Sequence, residues 1–216
     1  MHAIGNKESL SSQAYQMIKK DIISGKIRPK EILKEEKLSN TLGISRTPVR
    51  DALKRLQYDH LVEVNESRNV VVSEVSVEDY DYAIEARRVI ELETVRLLAQ
   101  TITKKQLKIL ESIYQSQCHA LHHQSFESFL ELECEFHYTI ARFCGNPYFM
   151  QFMDTIAMAQ QRCLILSGHL VKDWGSAMQE HWMIIQSLRQ HSEELAVFAM
   201  KKHIENVNMR LKEESE

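Results

Sequence analysis

Residues 34–64, KEEKLSNTLGISRTPVRDALKRLQYDHLVEV, constrain the fold of this chain more than any other stretch. Leu38 and Leu42 lie on a first short helix, and Gly43 ends it, because glycine accepts the left-handed backbone of a helix C-terminus. Ile44 fills the turn. Ser45 stands at the N-cap of a second helix, where its hydroxyl can satisfy a free backbone N–H. Pro48 falls in the first turn, where its missing N–H costs little. Val49, Ala52, Leu53 and Leu56 then recur at helical spacing and mark one buried face. Arg46, Thr47, Arg50, Lys54 and Arg55 cluster at the mouth and flank of the same helix. Two helices, a tight turn and a basic second N-terminus make a helix-turn-helix whose second helix suits the DNA major groove. An αα-hairpin with a solvated basic face would share the outline but not the Ser-Arg-Thr-Pro-Val-Arg run.

Two short β-branched runs follow, 61–64 and 70–72, separated by Asn65–Asn69, and they read as a two-stranded wing. Before the pair, Leu10, Tyr15, Ile18, Ile22 and Ile23 place an apolar face on a helix between Ser9 and Ser24, closed by Gly25. SRTPVRDALKRL with HLVEV after it resembles the winged-helix DNA-binding domain of GntR-family bacterial transcription regulators, over residues 8–74. The resemblance implies DNA contacts from Ser45, Arg46, Thr47 and Arg50, with Lys54 on the flank and Arg68 on a phosphate at the wing tip. Relatives often carry a glycine near the end of the wing turn. Asn69 stands there in this chain, and asparagine also tolerates left-handed angles. Glu36 occupies a place on the first reading helix where some relatives have arginine.

The remainder is helical throughout. Apolar periodicity predicts helices over 77–100, 103–124, 126–144, 147–168, 173–190 and 192–214, a mainly α chain with a C-terminal all-helical bundle. Breaks fall at 101–103, 124–125, 145–147 and 167–168, and Ser192 suits the cap of the last helix. The organisation is a winged helix-turn-helix over 1–74, a linker over 75–79 and a helical domain over 80–216. Charge follows the same division. Residues 1–75 hold 13 Lys and Arg against 10 Asp and Glu, and the rest holds 14 against 20. No apolar run approaches the roughly 18 residues of a membrane span, and MHAIGNKESL lacks the apolar stretch of a signal peptide. The expected location is the cytoplasm, with Cys118, Cys134, Cys144 and Cys163 reduced.

Four residues of the helical half form a constellation. Glu133 and His137 are four apart and share a helix face. His181 and His203 each lie 11 residues from the turn near Ser192, so both sit about 16 Å from the bend and come side by side in an antiparallel pair. Three imidazoles and one carboxylate suit zinc, nickel, manganese or iron, with zinc the first choice. Cys134 points about 100° away round its helix and reads as packing. ELECEFHYTIARFCGNPYF, QEHWMIIQSL and AMKKHIENV resemble the metal-binding segments of the FCD effector domain in the FadR-like branch of GntR regulators. The resemblance makes Glu133, His137, His181 and His203 the metal ligands, with Glu133 where the family's first ligand is typically aspartate. In EARRVIELETVRLLA, Arg87 precedes Glu91 by four. That spacing permits a helix salt bridge, and the resemblance implies an arginine facing the effector.

These features point to a ligand-responsive transcription regulator, expected to act as a repressor: a homodimer on a palindromic operator, sensing a small organic acid at a metal. Two readings stay open beside it. In one, the metal itself is the signal. In the other, the same ligand set is a catalytic metal centre, although no general base or nucleophile is placed beside it.

Overall fold

Gly43, His60 and Arg68 take left-handed backbone angles and set the turns of the N-terminal part of the chain. The computed structural model describes residues 9–74, 76–167 and 174–212. The chain divides into two units between Val75 and Ser76.

In the first unit, α1 (Leu10–Ile23) packs on α3 (Arg46–Tyr58), with α2 (Glu35–Leu42) between them in sequence. Ser9 caps α1 by accepting from the Ser12 N–H, and Ala14, Tyr15, Ile18 and Ile22 are buried. Leu10 is exposed and Ile23 half-buried, so the buried stripe is narrower than the apolar pattern predicts. The Tyr15 hydroxyl donates to Asp59, and the Arg55 guanidinium lies 3.9 Å above the Tyr15 ring. Arg55 is therefore engaged in holding α1 to α3. Gly43 takes φ 65° and ends α2 as expected. Ser45 has N-cap backbone angles, but its hydroxyl makes no capping bond. A cap of this kind bonds the N–H of the second or third helical residue. Here the third is Pro48, which has none.

After α3, His60 adopts φ 57° while its own N–H and that of Leu61 return to Gln57 and Leu56. This left-handed residue closes the helix. β1 (Val62–Val64) pairs antiparallel with β2 (Val70–Val72), Val62 opposite Val72. Ile32 bridges the other side of β2 at Val71, an edge that the sequence pattern did not predict. In the wing turn Asn69 donates its N–H to the Asn65 side chain, and Arg68 rather than Asn69 takes the positive φ, 61°. The Asx-type bond of Asn65 shifts the left-handed residue one place earlier.

The second unit comprises α4 (Val77–Thr101), α5 (Lys104–His122), α6 (Phe126–Cys144), α7 (Pro147–Ser167), α8 (Trp174–Arg189) and α9 (Glu193–Lys212). Ser76 and Asp79 form a reciprocal capping box, so residues 77–79 of the expected linker belong to α4. Thr103 and Gln106 cap α5 in the same way, and Gly145 (φ 81°) ends α6. Ser192 accepts from the Leu195 N–H at the start of α9, as expected. The expected break at 167–168 extends beyond the described residues. Val95, Leu98, Leu110, Phe136, Ile140, Ile184, Leu188 and Met200 are buried together in the core shared by α4, α5, α6, α8 and α9. No helix of the described residues is long and apolar enough to cross a membrane.

Candidate metal centre

Apolar packing surrounds a small polar centre to which four helices contribute. α6 carries Glu133 and His137, α8 carries His181, α9 carries His203, and α4 carries Arg87 and Glu91. All six residues are buried. One donor atom from each of Glu133, His137, His181 and His203 lies within 4.8 Å of the others. Glu133 occupies the middle. Its Oε1 is 3.2 Å from His137 Nε2 and 3.6 Å from His203 Nε2, and its Oε2 is 3.1 Å from His181 Nε2. The antiparallel α8–α9 pair brings His181 and His203 to 4.8 Å between ring centroids. Cys134, on the same helix, is not among these donors. The thiols of Cys118, Cys134 and Cys144 are free, and the Cys163 side chain falls outside the described residues.

Two of the imidazoles are oriented from behind by hydrogen bonds at Nδ1. His181 Nδ1 is 3.0 Å from Gln117 Oε1 on α5, and His203 Nδ1 is 2.9 Å from Glu180 Oε2. His137 Nδ1 lies 2.7 Å from Glu91 Oε2, close enough for an ion pair but outside hydrogen-bonding geometry. Glu180 is in turn held by Asn206 and by both terminal nitrogens of Arg210. An acceptor at Nδ1 fixes the tautomer that leaves Nε2 unprotonated and turned inward, the usual outer shell of a metal site. His137 Nε2, His181 Nε2 and Glu133 Oε2 are buried without a hydrogen-bond partner. Unpartnered buried acceptors are costly, so this donor set fits a divalent cation.

Arg87 makes the helix salt bridge that its spacing permits and also reaches the cluster. Its Nε donates to Glu91 Oε1 at 2.5 Å, while one terminal nitrogen reaches within 3.3 Å of His203 Nε2 and 3.6 Å of Glu133 Oε1. Its other terminal nitrogen has no hydrogen-bond partner. Burial alone would raise the Glu91 carboxyl, but Arg87 and His137 beside it outweigh that and bring it to about 2. Burial pushes His181 down to about 4, against the pull of Glu133. The centre therefore contains one guanidinium, two carboxylates and an imidazole held neutral by burial.

Gln117 and Glu180 were not singled out from the sequence. Glu180 had a usable signal: it immediately precedes His181, and the hairpin that faces His181 with His203 brings it to the same place. Gln117 lies on a separate helix and had none.

In the first unit, Ser45, Arg46, Thr47, Arg50, Lys54 and Arg68 are all exposed. The first four lie on or beside the N-terminal half of α3, Lys54 is further along it, and Arg68 is at the wing turn. Arg46 pairs with Glu36 at 2.9 Å, Arg50 makes a two-pronged bridge to Glu35 at 2.7 and 2.8 Å, and Lys54 is 3.9 Å from Asp51.

Family models match both units: the FCD domain over residues 82–206, and "Bacterial regulatory proteins, gntR family" over residues 10–72. The transcriptional repressor RspR of Escherichia coli K12 is 23% identical over 93% of this chain and 88% of its own length. A gluconate operon transcriptional repressor of Bacillus subtilis is 20% identical over 96% and 87%. Among solved structures, E. coli McbR/YncC superposes with a TM-score of 0.85 over 97% of this chain and all of that one, at 19% identity. Both of these sequence relatives are named as transcriptional repressors.

Proposed function

This chain belongs to the gntR family of bacterial regulatory proteins and carries an FCD domain, and from that premise we propose a repressor whose hold on operator DNA is set by a small carboxylate bound at a metal ion. The observation that carries the reading is the buried Glu133, His137, His181 and His203 set with Arg87 against it. Charge decides the ligand class. Arg87 contributes +1 and Glu91 and Glu133 contribute −2, so with neutral imidazoles the centre is at −1. A divalent cation brings it to +1, and a single carboxylate then neutralises it. The metal supplies Lewis-acid binding of one ligand oxygen, and Arg87 offers N–H donors to the other. The names of the gluconate operon repressors among the relatives agree with a sugar acid or similar anion.

On DNA, a homodimer presents two α3 helices to successive major grooves of a palindrome. Arg46 and Arg50 exchange their glutamate partners for guanine or phosphate. Ser45, whose hydroxyl is not used in capping, and Thr47 bond phosphate at the helix N-terminus, with Lys54 on the flank and Arg68 at the wing. The effector acts by binding one arrangement of the dimer more tightly than the other.

The test is a thermal-shift screen of small carboxylates on zinc-loaded protein, followed by fluorescence anisotropy on operator DNA. A stabilising acid that weakens DNA binding, with both effects lost in Arg87→Met, supports the reading. DNA affinity that follows zinc and ignores every acid favours the metal as the signal, a reading to which Glu133's contacts with all three imidazoles lend weight.

A further inference from the structure

The two glutamates at the start of α2 are engaged differently. Glu35 is clamped by Arg50 through both oxygens and joins α2 to α3. Glu36 is 70% exposed and makes a single ion pair, Oε1 to Arg46 Nη2 at 2.9 Å, with Arg46 itself 60% exposed. A solvated pair of this kind is weak and opens readily. It stands at the first turns of both α2 and α3, in the midst of the residues assigned to DNA. A carboxylate there has no use for phosphate, which repels it. It is an acceptor only, so in the major groove it can bond only a base amino group: cytosine N4 or adenine N6. Adenine places the acceptor N7 beside that amino group and repels the second carboxylate oxygen. Cytosine has no acceptor on that edge.

We propose that Glu36 is a base-reading residue, accepting from cytosine N4 while the Arg46 beside it donates to guanine, so that each half-site contains a cytosine and a guanine within about one base step. The inference rests on the regulator reading above. In the free protein the Glu36 carboxylate also offsets part of the positive charge of Arg46 at this surface.

The experiment is in vitro selection from a random duplex library with full-length, zinc-loaded protein, run for the wild type, Glu36→Gln and Glu36→Ala. Both substitutions are at an exposed side chain and leave the fold intact. The wild type should enrich a half-site with a cytosine that costs about tenfold in affinity when replaced by thymine. Glu36→Ala should lose preference at that position alone and gain roughly one unit of salt dependence as Arg46 turns to phosphate. Glu36→Gln should shift the position toward adenine, whose N6 and N7 match a carboxamide. A Glu36→Ala protein that enriches the same site with the same cytosine would overturn the inference while leaving the regulator reading intact. A wild type that enriches no sequence would overturn both.

Discussion

Glu180→Gln separates orientation of a ligand from ligation itself. Glu180 touches none of the inward-facing donors. It accepts at 2.9 Å from His203 Nδ1 and is anchored by Asn206 and by Arg210 at 2.8 and 3.0 Å. Glutamine retains an acceptor of the same reach and removes the negative charge, so His203 keeps its place but becomes a weaker donor. Losses for such outer partners run roughly 10- to 100-fold in metal affinity, equivalent to about 1.4–2.8 kcal/mol. Glutamine should fall near the lower bound and Glu180→Ala, which also frees the ring, near the upper. The assay is zinc competition against a chromogenic chelator, with urea denaturation of the metal-free protein alongside. Arg210 is partly exposed, so its lost partner costs only about 1 kcal/mol of stability. Zinc affinity equal to wild type in both variants would refute the orientation argument, whatever the change in stability.

Three further outcomes follow from the same structure. Arg87→Met leaves Glu91 and Glu133 buried without their cation; metal-free protein should lose about 3 kcal/mol in urea denaturation, and saturating zinc should restore part of it, whereas an unchanged midpoint would show the guanidinium to be dispensable. Leu188→Ala opens the fully buried core between α8 and its neighbours and should cost about 2–5 kcal/mol; a loss under 1 kcal/mol would mean that this core is not packed as described. Gly43→Val faces open space, so any loss comes from its left-handed backbone, about 1–2 kcal/mol, and a neutral result in denaturation would argue against that conformation.

The helices of the second unit were legible to within one or two residues because each carries its own punctuation: Ser76, Thr103 and Ser192 at starts, Gly145 at an end. The convergence of His181 with His203 was legible because a symmetric hairpin converts sequence distance into spatial distance. Where a feature depends on another element, the sequence pattern did not predict it. Gln117 reaches His181 only through the packing of α5 on α8. Ile32 becomes a strand edge only because β2 is there to pair with it. The Ser45 side chain makes no cap, and part of the reason was readable, since Pro48 removes one of the two N–H groups that it could have bonded. The left-handed residue of the wing moved to Arg68 because the Asn65 side chain, and not the identity of residue 69, shapes that turn. Arg87 shows that a helix salt bridge and contact with the histidine cluster are compatible: one edge of the guanidinium binds Glu91 and the other faces Glu133 and His203.

The most direct test is the metal content of protein purified without added metal, beside a His137→Ala, His181→Ala double variant. The account predicts close to one divalent ion per chain in the wild type and none in the variant. Metal absent from both, even after reconstitution with zinc, nickel or manganese, would contradict it.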